Sequence, residues 1–235
     1  MTLALSRRAL LLAAALPLAA PALAQGRRRL RLMLDWTPLG YHSAWFLAAE
    51  RGHFAREGLE VAIQRGFGSG DVVTKLAAGV AEIGFGDPGA VPKHNAENPG
   101  RAVVSVFQYF DRTLAGVITL AGRGIERPGD LRGKRLAAPA GDSGRVLFPA
   151  FARANGFAAG DVTWISVAPP LREPMLFRGE CDAITAFVSG AFFNLRALGA
   201  READIRMFRF NDHGRSWRSA SRRWCAASCA PPSPG

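Results

Sequence analysis

From residue 30 to residue 210 the chain repeats one arrangement: a short apolar run, a turn rich in glycine or aspartate, and a longer stretch with apolar residues at helical spacing. Strands buried on both faces read as apolar runs, and parallel strands need a long connection, which a helix supplies. The pattern therefore predicts an α/β fold, its first series a βαβαβ unit with a parallel sheet. Strands are expected over 30–34, 59–63, 83–85 and 102–107, with helices over 44–56, 71–81 and 92–98; Gly58 ends the first helix. At Gln108-Tyr109-Phe110-Asp111-Arg112 the series restarts. A second set of strands is expected over 117–121, 135–138, 162–167, 183–187 and 205–210. Helices over 145–155, 170–179 and 192–198 separate them, with a short polar helix or turn over 127–133. A length of 235 residues accommodates two lobes with a real core. The expected layout is lobe 1 over 25–108, lobe 2 over 109–204, and a return strand to lobe 1 over 205–214. Hinges are expected at 108–112 and 201–205.

In an open α/β sheet, ligands sit beyond the C-terminal ends of the strands. The first such end here carries Asp35-Trp36-Thr37-Pro38-Leu39-Gly40-Tyr41-His42, an acid, an indole, a proline turn and a Tyr-His pair, directly ahead of a helix. Trp36 and Tyr41 are candidates to stack on a flat ring, with Asp35, His42 and Asp87 hydrogen-bonding its edges. The bland alternative is a βα turn with a core tryptophan and a capping histidine. The loops at 86–89 and 140–144 follow strands in the same way. Gly141-Asp142-Ser143-Gly144 offers backbone N–H groups and a hydroxyl at a helix N-terminus, which makes either an anion site or a plain N-cap. Gly68-Ser69-Gly70 offers the same two readings, an anion site or, more commonly for such a stretch, a turn; His53 and His94 read as structural or solvated.

The N-terminus reads as an address. Ser6-Arg7-Arg8, an apolar run over 9–18, and Ala22-Leu23-Ala24 before Gln25 form a secretory signal peptide over 1–24. The arginine pair suggests twin-arginine export, and the expected compartment is the periplasm. Of the net charge of +11, six arginines (Arg7, Arg8, Arg215, Arg218, Arg222 and Arg223) lie in the leader or the tail, and Arg27, Arg28 and Arg29 add three more. The body is thus near neutral with mixed charges, which argues against a nucleic-acid partner. Residues 215–235 lack Leu, Ile, Val, Asp, Glu and Lys and carry no strand or helix period. They read as an irregular Arg/Ser tail or as a shift of reading frame after Gly214. Cys225 and Cys229 lie in that tail, and their spacing, without a nearby histidine, predicts no metal site. No G-x-S-x-G, HExxH, CxxC, Walker A or strand-bound G-x-G-x-x-G occurs, so binding is favoured over catalysis.

Leu34-Asp35-Trp36-Thr37-Pro38, Tyr41-His42, Phe46-Leu47-Ala48, Arg51-Gly52-His53-Phe54 and Glu57-Gly58-Leu59-Glu60-Val61 together resemble one family. It joins eukaryotic thiamine-pyrimidine synthases to bacterial ABC-transporter binding proteins and is related to nitrate, sulfonate and taurine binding proteins. Asp71-Val72, Ala81-Glu82-Ile83-Gly84 and Leu131-Arg132-Gly133-Lys134 extend the similarity, which runs from about residue 30 to 214. The resemblance implies a type II periplasmic-binding-protein fold with ligand between the lobes, the C-terminal part of the first lobe being truncated. It implies a monomeric solute-binding protein that delivers its ligand to an ABC permease. A thiamine pyrimidine precursor is the first candidate ligand, and a sulfonate, nitrate or taurine-like anion the second. By position, the phosphate-cradling loop of the synthases maps onto Gly141, Asp142, Ser143 and Gly144. The synthases' pyridoxal-phosphate lysine falls at Gly86 and their consumed histidine near Ala90, while their iron-associated motif would fall after about Asp212, where nothing matches it. Neither Gly nor Ala can form a Schiff base or donate an imidazole. The expectation is accordingly no catalytic residue and no cofactor, with pyridoxal phosphate and iron belonging only to the synthase alternative.

Overall fold

The computed structural model describes residues 27–213. The signal peptide, the twin-arginine pair, the irregular tail with its frame shift, and Cys225 and Cys229 all lie outside the described residues. Among the described residues, no helix is long and apolar enough to cross a membrane.

Two sheets form, each with the parallel core that the pattern demands. The first has β1 (Arg28–Met33) in the centre, flanked in parallel by β2 (Leu59–Gln64) and β3 (Ile83–Gly84). Its central position buries Leu30, Leu32 and Met33, while Arg29 and Arg31 point outward to pair with Glu60 and Glu82. α1 (Ser43–Glu50) and α2 (His53–Arg56) connect β1 to β2. The single helix expected over 44–56 is broken because Gly52 takes a left-handed φ of 69°. α3 (Ser69–Ala77) and α4 (Ala90–Glu97) follow β2 and β3. Val72 of α3 packs on Met33 and Ala81, and Val73 on Ala90 and Val91 of α4.

The second sheet has the order β6-β5-β7-β4-β8, from β4 (Ala115–Leu120), β5 (Arg135–Ala137), β6 (Thr163–Ile165), β7 (Ala183–Phe187) and β8 (Ile205–Arg209). β5 runs parallel to β6 and β7, and β4 runs antiparallel to β7 and β8. Alternation along the strands feeds two cores. Val117, Leu136 and Ala183 face a cluster with Leu131, Phe148, Phe151 and Phe157. Ile118, Ala137 and Ile184 face Leu176, Leu195 and Ile205. α5 (Ser143–Ala154), α6 (Arg172–Arg178) and α7 (Val188–Ala197) cover the two faces.

Two expectations fail here. Residues 102–107 form no strand, and Val104, Val106 and Phe107 are 75%, 88% and 75% exposed. The adjacent edge, β3, is two residues long, and no described strand lies beyond it to pair with this run. The strand expected to return to lobe 1 stays in the second sheet instead: β8 pairs with β4 and buries Ile205 and Phe208 against that core. Residues 201–205 are therefore a turn inside the second lobe rather than a hinge. The crossover between the sheets is 102–114, which contains residues 108–112.

Candidate functional site

The C-terminal ends of strands from the two sheets face each other, and a pocket lies between them. Five of the expected residues line it: Asp35, Trp36, Tyr41, Asp142 and Ser143. Each comes from the turn between a strand and the following helix, where side chains are freed from the sheet but held by it.

On the first lobe, Asp35 is built into a fixed relay. The Leu39 N–H donates to Nδ1 of His42 at 3.0 Å, so Nε2 carries the proton and donates to Oδ1 of Asp35 at 2.7 Å. His42 is wholly buried, so it stands behind the wall and orients Asp35 instead of meeting ligand. Burial raises the Asp35 carboxyl above its ordinary value, with the His42 hydrogen bond opposing the rise. Burial, helped by the Asp35 charge, likewise raises the Tyr41 phenol. The Tyr41 ring lies 4.1 Å from His42 and 5.8 Å from Phe187 of the second lobe, centroid to centroid, and so spans the cleft.

On the second lobe, Asp142 caps α5, accepting from the Arg145 N–H at 3.0 Å and from the Thr185 hydroxyl at 2.7 Å. Its other oxygen accepts from Arg172 at 3.2 Å. Between the two readings of Gly141-Asp142-Ser143-Gly144, the N-cap is the one formed. Gly141 and Gly144 lie behind the wall: the Gly141 carbonyl accepts from Gly70 N–H at 2.9 Å, and Gly144 packs on Thr185. Burial raises the Asp142 carboxyl above its ordinary value, and the Arg172 charge opposes this.

Arg172 is the principal residue that sequence reasoning missed. It is 3% exposed, ion-paired to Asp142 and to Glu173 at 2.6 Å, and its guanidinium carbon lies 4.1 Å over the Trp36 ring of the other lobe. The face of Trp36 expected to stack on a ligand thus already carries a cation. Gly68, Ser69, Phe187 and Gly190 were also missed. Phe187 ends β7, and Gly68, Ser69 and Gly190 lie between a strand and the first turn of the following helix, the same signal that found Asp35.

Asp87 does not line the pocket. Its backbone N–H donates to the Ser69 hydroxyl at 2.9 Å, while its carboxylate accepts from the Gly89 N–H at 2.8 Å and from the Thr113 hydroxyl. It ties the turn after β3 to the crossover. Burial raises its carboxyl well above the ordinary 3.8, with the Thr113 bond opposing. A carboxyl raised on folding holds a proton that the unfolded chain has released, so its penalty is absent below about 3.8 and full above the folded value. Asp87→Asn keeps an acceptor for the Gly89 N–H, lets the amide nitrogen donate to the Thr113 hydroxyl oxygen in place of the present bond, and removes the charge. It is expected to raise Tm at pH 8, with the gain fading as pH falls toward 4; chemical unfolding across that range checks the sign.

The residues that carry the synthase chemistry in the resemblance are absent in substance as well as in type. A Cβ at Gly86 would lie 3.2 Å from Cβ of Ser69, tighter than ordinary contact, and Ala90 is buried against Val73 and Val91. The three lysines, Lys75, Lys93 and Lys134, bind Asp71, Glu97 and the Arg123 carbonyl, away from the pocket. Among the described residues no group of His, Cys, Asp and Glu is arranged to hold a metal ion.

The comparisons with known proteins agree with this architecture. The family model described as NMT1/THI5 like matches residues 40–222. The 4-amino-5-hydroxymethyl-2-methylpyrimidine phosphate synthase of Schizosaccharomyces pombe is 29% identical over 154 residues, 66% of this chain and 43% of that protein. The formylaminopyrimidine-binding protein of Halalkalibacterium halodurans is 31% identical over 109 residues, 46% of this chain and 32% of that protein. The chain thus spans less than half the length of these curated relatives. Among solved structures, the alkanesulfonate-binding protein SsuA from Xanthomonas axonopodis pv. citri bound to MOPS superposes with a TM-score of 0.60 at 15% identity, covering 85% of this chain and 71% of that one. An ancestral arginine-binding protein bound to arginine gives a TM-score of 0.53 at 15% identity, covering 86% and 94%. At these identities the likeness shows the fold, a type II periplasmic-binding-protein fold. The sequence match settles the family: the chain belongs to the NMT1/THI5-like family.

Proposed function

We propose that the chain is a monomeric solute-binding protein of an ABC importer, exported to the periplasm, that closes on a small flat ligand and presents the closed form to a permease. The observation that carries this reading is the composition of the pocket wall. Trp36 and Tyr41 from one lobe and Phe187 from the other surround fixed hydrogen-bonding groups, and no lysine reaches it. Such a wall can hold an aromatic ring by stacking and edge contacts, with no bond made or broken. A thiamine pyrimidine precursor is the first candidate, consistent with a relative named for binding formylaminopyrimidine.

The curated synthase relatives favour a second reading, a pyrimidine synthase using pyridoxal phosphate and iron. The residues present do not fit pyridoxal phosphate, which needs a lysine amine in the pocket. No catalytic step is derived through either cofactor, and no cofactor is proposed.

Thermal shift with pyrimidines, sulfonates and nitrate tests the reading. A ligand at a hundred times its Kd adds about 2.7 kcal/mol, a rise in Tm of roughly 5–10 °C for a chain of this size. The expected hit is a pyrimidine, with a change in tryptophan fluorescence from Trp36. The absorbance band of an internal aldimine after incubation with pyridoxal phosphate is the result that would overturn binding in favour of catalysis.

A further inference from the structure

The charged groups at the pocket are unevenly matched. Asp35 and Asp142 line it, and Glu173 stands directly behind Arg172. Arg172 is the one arginine or lysine in the wall, and its charge is already committed: Nη1 to Asp142 at 3.2 Å, Nε and Nη2 to Glu173 at 3.2 and 2.6 Å, and its face to Trp36. These three side chains are 3% exposed each. The cluster of one guanidinium and two carboxylates leaves a carboxylate in excess, and Asp35 adds another, held by His42 and Tyr41, neither of which is an arginine or lysine. Asp87, buried behind Ser69, adds a third acid nearby.

The N-terminus of α5 does not reverse this balance. It would ordinarily attract an anion, but the Asp142 carboxylate occupies the cap and takes the Arg145 N–H. An anionic ligand entering here meets carboxylates that are themselves buried, and like charges brought together there disfavour binding. A ring bearing amino N–H groups, or one that takes up a proton, meets acceptors instead.

We propose that this pocket selects its ligand by charge, accepting a planar ring that carries hydrogen-bond donors or a positive charge and rejecting anions, because Asp142 and Glu173 hold Arg172 and Asp35 is left as an acceptor. This rests on the solute-binding reading and narrows it: the phosphate esters and sulfonates that bind related folds are excluded here by residues on both lobes.

The test compares two ligands with the same ring. Binding of 4-amino-5-hydroxymethyl-2-methylpyrimidine and of its phosphate ester is measured by calorimetry on the full chain, beside inorganic phosphate, methanesulfonate and nitrate. The free pyrimidine is expected to bind at least about tenfold tighter than its phosphate ester, and the three anions are expected not to compete. Glu173→Gln releases one side of Arg172 and is expected to narrow the difference between ring and ester; an unchanged difference counts against the role given to Glu173. An ester that binds as tightly as the free ring, or competition by methanesulfonate or phosphate, overturns the charge selection while leaving a solute-binding protein. Failure of every probe to bind overturns the solute-binding reading and this inference with it. The wild-type comparison does not depend on the variant folding.

Discussion

Arg172→Ala is expected to destabilise the protein by about 3–5 kcal/mol, the usual cost of removing one partner from a buried ion pair. The size follows from what is left behind. Asp142 and Glu173 are each 3% exposed, and Arg172 is the only charged group paired with Glu173. Asp142 keeps the Arg145 N–H and the Thr185 hydroxyl but loses its counter-charge. The second lobe then holds uncompensated charge next to the Ile184 core. The pH dependence separates this cause from lost packing. If the cost is unpaired carboxylate charge, it shrinks as pH is lowered and Asp142, whose carboxyl burial already raises, takes up a proton; if it is lost contact with Trp36, it does not change. Denaturant unfolding of wild type and variant at pH 8 and pH 4 decides, and a difference below about 1 kcal/mol at pH 8, the scale of an exposed pair, would show that the pair is not load-carrying.

Gly68→Ala is expected to act on closure as well as on folding. Gly68 adopts a φ of +123°, a region that side-chain-bearing residues rarely enter. An added Cβ would lie 2.1 Å from the Gly141 carbonyl oxygen of the other lobe, inside any possible contact distance. The lobes are in direct contact there, since Gly70 N–H donates to the same carbonyl at 2.9 Å. Two packed lobes joined by the 102–114 crossover can relieve the clash by opening, which a single core cannot. Ligand affinity should therefore fall by at least about tenfold, equivalent to ~1.4 kcal/mol, and scattering should report a larger radius of gyration with ligand present. Unchanged affinity with an unchanged radius would mean that the lobes do not close through this contact.

Much of the architecture was legible in the sequence because it is local. Apolar runs such as Leu30-Arg31-Leu32 and Ala183-Ile184-Thr185-Ala186-Phe187, separated by helical stretches, mark the strands of α/β lobes. Helix ends were readable where glycine marks them, as at Gly58 and Gly179, both left-handed. That Asp35, Trp36, Tyr41, Asp142 and Ser143 come together around one pocket was readable because loops after strands converge.

Strand pairing at a distance was not legible. Residues 102–107 have the composition of a strand, yet a strand exists only with a partner, and none of the described strands reaches it. Residues 205–209 have the composition of a strand for either lobe, and their pairing with β4 was decided by the second lobe's core. The site shows the same division. Sequence could nominate Asp142 as either an anion cradle or a cap, since both use the same residue types. The choice was made by Arg172, thirty positions away in the chain, and by Thr185 on a neighbouring strand. Local propensity thus determined which residues form strands, helices and turns, because those preferences act within a few residues. Only the tertiary structure decided which strands pair, which walls face each other and which charges cancel, because those energies depend on distances that the chain order does not contain.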